Sequence, residues 1–177
     1  MLIPGSFISI LTFPGVIVHE LAHKFFCDKA GVPVYEVVYF RIGTVAGYVR
    51  HGEVKGLRNA FLISVGPLIV NSVLCMVLTL PMGLSGLAGD LQVRAGFLYL
   101  LWVGISIGMH AFPSNQDMRT FLYFVKSAKK GGAFYVMAWI FALLIRIANI
   151  LSIFWFDLIY AVLLSLILPM LLMFLMI

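Results

Sequence analysis

From Ala133 to Ile177 the chain carries charge at only two side chains, Arg146 and Asp157. A transmembrane helix needs about 20 apolar residues, so this stretch is too long for one crossing and is expected to turn back once. The expected turn lies near Trp155-Phe156-Asp157 and yields two segments. Three apolar stretches precede it, from about Leu2 to Phe26, from about Asn59 to Met82 and from about Val93 to Phe112. Composition agrees: 63% of residues are hydrophobic and 11% charged, where a soluble domain has about half and about a quarter. The expected fold is an all-α polytopic membrane protein with about five transmembrane helices, its main partner the lipid bilayer. Residues 1–130 make an expected core of three spans, and residues 131–177 add two transmembrane helices. No Lys or Arg precedes His19, so the positive region of a secretory signal peptide is missing and the first segment is read as retained.

Basic residues fall between the segments. Lys24, Lys29, Arg41, Arg50, Lys55 and Arg58 separate the first from the second. Arg119, Lys126, Lys129 and Lys130 separate the third from the fourth. Gly83 to Gln92 and the turn at Asp157 have none. The positive-inside rule then puts the amino terminus outside and both basic loops in the cytoplasm. This clustering accounts for the net charge of +5 without nucleic acid as a partner. Within the first basic loop, Val34 to Val49 is rich in β-branched and aromatic residues and contains Gly43 and Gly47. That pattern predicts a small β-hairpin at the cytoplasmic membrane surface. Met118 to Lys130 mixes aromatics with lysines, as an amphipathic interfacial helix or a solvated linker does. The two cysteines, Cys27 and Cys75, read as buried thiols. Cys27 continues the face of His19 but stands about 12 Å along the helix from it, too far to share one ion.

His19-Glu20-Leu21-Ala22-His23 places two imidazoles four residues apart on one helix face. Both can reach one metal ion, and Glu20 is placed to take a proton from water. Ionisable groups at membrane depth are costly, and three stand here within a turn and a half. A catalytic zinc site usually has three protein ligands. The remaining candidates are Asp28, Glu36, Glu53, Asp90, Asp117, Asp157, His51 and His110. The third segment brings His110 and Asp117 to the cytoplasmic end, where His19 and His23 lie. Asp90 and Asp157 are expected on the opposite side. Asp117 is the first choice and His110 the second. His110-Ala-Phe-Pro113-Ser-Asn-Gln-Asp117 is a polar break in which Pro113 disfavours helix at Phe112. Irregular backbone at membrane depth is tolerated inside protein or beside a water-filled cavity.

Three elements in this order resemble the site-2 protease family of intramembrane zinc metalloproteases: His19-Glu20-x-x-His23, Gly66-Pro67-Leu-Ile-Val-Asn71, and Pro113 to Asp117. The resemblance covers roughly residues 15 to 120 and makes residues 1–130 a catalytic core. It implies one zinc ion held by His19, His23 and Asp117, with Glu20 activating water. It assigns Asn71 a part in positioning the substrate, beside the plainer role of an interhelical hydrogen bond. His110, which stands where the family often has Asn, is a second positioning candidate. The strands expected over 34–49 match the family's membrane-edge sheet, which can pair with an unwound substrate. The implied activity is hydrolysis of a peptide bond within or near a transmembrane segment of a membrane-protein or signal-peptide-like substrate. The third element departs from the family pattern: Asp117 follows Pro113 by four residues rather than five, flanked by Gln116 and Met118 in place of Leu and Gly. No PDZ-like insertion falls between the elements. The alternatives are a CAAX-type membrane zincin, for which Glu36 and Glu53 lack the helical setting, and a non-catalytic metal-binding membrane protein such as a transporter or an inactive protease relative. Glu20 separates the last from a protease, because a transporter needs ligands and not a base beside them.

Overall fold

The computed structural model describes residues 5–81, 91–128 and 131–175. The chain runs α1 (Gly5–Leu11), α2 (Phe13–Lys29), β1 (Val34–Val38), β2 (Tyr48–His51), α3 (Gly56–Thr79), α4 (Leu91–Met109), α5 (Asn115–Ser127), α6 (Ala133–Leu151), a 3-10 turn at Ser152–Phe154, and α7 (Phe156–Leu175). Among the described residues, α3, α4, α6 with its following turn, and α7 are each long and apolar enough to cross a membrane. This is the all-α polytopic architecture with a small hairpin that the sequence predicts. Asp90, most of the Gly83–Gln92 loop, Lys129 and Lys130 lie outside the described residues.

The first apolar segment departs from the expected single span. It is two helices, α1 and α2, bent by 91°. Pro14 in the first turn of α2 lacks an N–H and disfavours helix at Phe13. Thr12 sits in the gap, and its hydroxyl donates to the carbonyl of Ile8 (2.7 Å). The bend is pinned to α4, whose Trp102 donates from Nε1 to the Leu11 carbonyl (3.1 Å).

Helices α2, α3 and α4 pack on one another through small residues. A β-carbon on Gly15 of α2 would overlap the Ser106 carbonyl of α4, and one on Gly66 of α3 would overlap the Phe26 ring. In lipid no hydrophobic force drives helices together, so close backbone approach of this kind supplies the contact. A second cluster joins the first half of α3 to α5 and α6. Phe61 meets the rings of Phe121, Phe134 and Phe141, with Val125, Ala138, Ala142 and Ile145 buried around them.

The hairpin pairs β1 and β2 antiparallel, Glu36 opposite Arg50 and Val38 opposite Tyr48, with a bulge between Val34 and Glu36. Glu36 accepts from the Tyr48 hydroxyl (2.8 Å) and pairs with Arg50 (3.3 Å). Met118 to Ser127 is helical, and α5 starts on a capping box. Ser114 receives the Asp117 N–H, and the Asp117 carboxylate receives the Ser114 N–H. Met118, Phe121, Leu122 and Val125 then form its apolar stripe.

The break after α6 falls where the sequence places it, with Trp155 in the left-handed region (φ 63°). Yet α6 and α7 do not pair as a hairpin. The former lies along α5, the latter along α4 and α3, and they have little contact with each other. Asp157 therefore does not lie away from His19 and His23, as the charge pattern suggests. The α6–α7 corner packs on the segment after α4: Asn149 donates to the Pro113 carbonyl (3.2 Å), and the Phe156 ring meets that of Phe112 at a tilt (5.6 Å between centroids).

Candidate metal centre

His19, His23 and Asp117 form a group whose three donor atoms lie within 4.8 Å of one another and can hold a metal ion. Helix α2 supplies the two imidazoles from successive turns. The cap of α5 supplies the carboxylate, because the Pro113 break lets the chain leave α4 and start a new helix beside α2. His23 Nε2 stands 3.1 Å from His19 Nε2 and 3.4 Å from Asp117 Oδ2. Two ligand atoms on one tetrahedral ion, each about 2.0–2.1 Å from it, stand about 3.3 Å apart. The spacing observed fits that donor set.

The tautomer of His19 follows from its surroundings. Its Nδ1 lies 2.6 Å from the carbonyl oxygen of His110. A carbonyl only accepts, so Nδ1 carries the proton and Nε2 turns its lone pair to the group, the usual orientation of a ligating histidine. The same carbonyl accepts a second hydrogen bond from Nδ2 of Asn71 (2.9 Å), which also donates to the Ile107 carbonyl (3.1 Å). Asn71 is fully buried, and its Oδ1 has no hydrogen-bond partner among the described residues. Its contact with the end of α4 is the interhelical bond that the sequence offers as one of two readings.

Asp117 serves two structures. Its Oδ2 accepts from the N–H (2.9 Å) and the hydroxyl (2.6 Å) of Ser114, as well as facing His23. Burial pushes the Asp117 carboxyl up. The charge and hydrogen bond of His23, the His19 imidazole and the Ser114 hydroxyl outweigh burial and hold it below the usual carboxylate range.

His110, the second-choice ligand, presents its backbone and not its ring. The Thr12 hydroxyl proton is engaged with Ile8, so His110 Nε2 donates to Thr12 Oγ1 (2.8 Å), and the ring stands outside the group. Of the other described candidates, His51 and Asp157 line the same cavity but stand outside the group. Asp28 pairs with Lys24 (2.6 Å), and Glu36 is held in the hairpin. Cys27 is buried in the α2–α3–α5 cluster.

Glu20 is buried, and the backbone of Gly47 packs against its Cγ, so the hairpin's connecting segment covers it. Glu20 and the metal group open into one cavity of about 600 Å³. Residues 44–49, the 112–117 segment and the α6–α7 corner line it. The corner contributes Asn149, Ser152, Trp155 and Asp157, none of which the sequence reading places here. The one signal for them in the sequence is that four polar or aromatic side chains cluster at the break of a long apolar run.

Comparisons with family models, with curated proteins and with solved structures found no match to this chain.

Proposed function

We propose that this protein is an intramembrane zinc metalloprotease that cuts a peptide bond within or near a membrane segment of a substrate protein, as its resemblance to the site-2 proteases implies. The observation that carries the reading is the convergence of His19, His23 and Asp117 donors on one point, beside a buried glutamate that shares their cavity. Two neutral imidazoles and a carboxylate are the donor set of a hydrolytic zinc site with one open position. When bound, zinc supplies a Lewis acid that polarises the scissile carbonyl and brings the pKa of water to about 7.

The chain's own residues do the rest. His110, through its carbonyl, fixes the aim of His19, and Asn71 fixes that carbonyl. Glu20 takes a proton from water as the water oxygen bonds to the scissile carbon. It passes that proton to the leaving amine nitrogen as the C–N bond breaks. A helical substrate hides its carbonyls, so it must unwind to be cut. The strand-forming 34–51 region and the polar 113–117 break favour an extended chain at the site. With the basic loops inward, the site faces the cytoplasmic side.

Glu20→Gln keeps the ligands and removes the base. The expected result is a parent zinc content of about one per chain and a loss of cleavage on the order of a hundredfold or more. His23→Ala and Asp117→Ala should lose zinc. A Glu20→Gln protein that cuts as fast as the parent, or an Asp117→Ala protein with undiminished zinc, overturns this assignment of roles.

A further inference from the structure

Among the described residues, the cavity beside the metal group is lined by three carboxylates, Glu20, Asp117 and Asp157, and by no Lys or Arg. A divalent ion held by neutral imidazoles is balanced by the first two. Asp157 is left over. It forms no ion pair among the described residues, and its one hydrogen bond there comes from the Ser152 hydroxyl. An uncompensated carboxylate beside an apolar helix is costly, and its pull on a cation grows as the local dielectric falls.

We propose that Asp157 is a specificity-determining residue that receives a Lys or Arg side chain of the substrate polypeptide at the α6–α7 corner of the cavity. The identity of this ligand rests on the protease reading. Basic residues gather at one end of membrane segments, so a polypeptide cut near its membrane boundary brings such a side chain close to the scissile bond. At the same corner Asn149 donates from Nδ2 to Asn115 Oδ1 (3.5 Å), and both residues line the cavity. With both Asn149 donor contacts made through Nδ2, its amide oxygen is the one that suits an ammonium or guanidinium head. The α6–α7 corner also touches the 112–117 segment directly, so a side chain held there belongs to a residue near the one being cut. The simpler role for Asp157 is a first-turn residue of α7 whose carboxylate accepts from the Ser152 hydroxyl. The amide oxygen of Asn accepts the same bond, so Asp157→Asn separates that contact from charge.

The test uses the full chain, zinc-loaded, in nanodiscs. The probes are fluorogenic apolar peptides of about 20 residues with one Lys scanned along them, each matched to Gln and Glu versions. Binding is read by anisotropy on the Glu20→Gln background and cleavage on the parent. At one or two neighbouring positions the Lys peptide should bind better than the Gln peptide by on the order of tenfold, and the Glu peptide worse. The Lys:Gln ratio should fall to near one in Asp157→Asn and persist in Asp157→Glu. A parent with no Lys preference at any position overturns the proposal whatever the variants do, as does a preference that survives Asp157→Asn. Cleavage without Lys preference removes Asp157 from the account and leaves the protease standing. Asp157-dependent Lys binding with no cleavage by the parent does the reverse.

Discussion

Asn71 is where a single side chain has the widest reach. It donates to two carbonyls at the end of α4, and one of these holds His19 in its ligating tautomer. Partners once removed from a metal ligand typically cost 10- to 100-fold in affinity when lost. Asn71→Ala should therefore weaken zinc by about that factor in a chelator-competition titration while both histidines remain. Unchanged affinity would mean that the His110 carbonyl holds its place without help. The pairing of His19 with His23 was legible in the sequence because i and i+4 spacing on a helix is local geometry. The part played by His110 was not. Its ring invites a reading as a ligand or as a substrate contact, yet the ring bonds Thr12 and the backbone does the work at the site. Residue type carries no information about a carbonyl.

Among the elements, α5 joins fold and site most directly, since its capping box uses the carboxylate that completes the metal group. Ser114→Ala removes the hydroxyl that both gives and receives in that box, and should lower stability by about 1 kcal/mol, read as a lower thermal midpoint in detergent. Ser114→Thr should restore most of it. An unchanged midpoint for the alanine variant would show that packing of Phe121 and Val125 holds the helix unaided. The sequence offers Asp117 as a candidate ligand, and the structure gives the same carboxylate a place in the cap of α5 as well as in the group that can hold an ion. The bend at Thr12 was harder to read. Pro14 signals it, but Pro67 and Pro169 lie inside the unbroken α3 and α7, so proline alone does not decide. The deciding contacts come from Trp102 and His110, about ninety residues away. The position of Asp157 was misread for a related reason. Counting loop charges assigns sides to turns, whereas the α6–α7 corner is drawn to the site by Asn149 and Phe156.

For the molecule as a whole, the metal group ties α2 to the start of α5, which itself packs on α3 and α6. An ion bound there should stabilise the folded protein by mass action, about 2.7 kcal/mol at a free concentration a hundredfold above its dissociation constant. Chelation should accordingly lower the thermal midpoint, and added zinc should restore it. The Asp117→Ala protein should respond to neither. A parent midpoint indifferent to chelator would argue that the three donors meet for reasons other than metal. The all-helical architecture was readable from apolar run lengths, and the hairpin from its β-branched residues, because each depends on nearby sequence. Which helices adjoin was not readable, since small residues such as Gly15 and Gly66 state that something comes close without naming it. The oxygen of His110 shows what this packing achieves. Two rods, α2 and α3, hang by side chains from the same peptide group. The placement of that one group therefore sets the aim of the imidazole and the seat of α3 together.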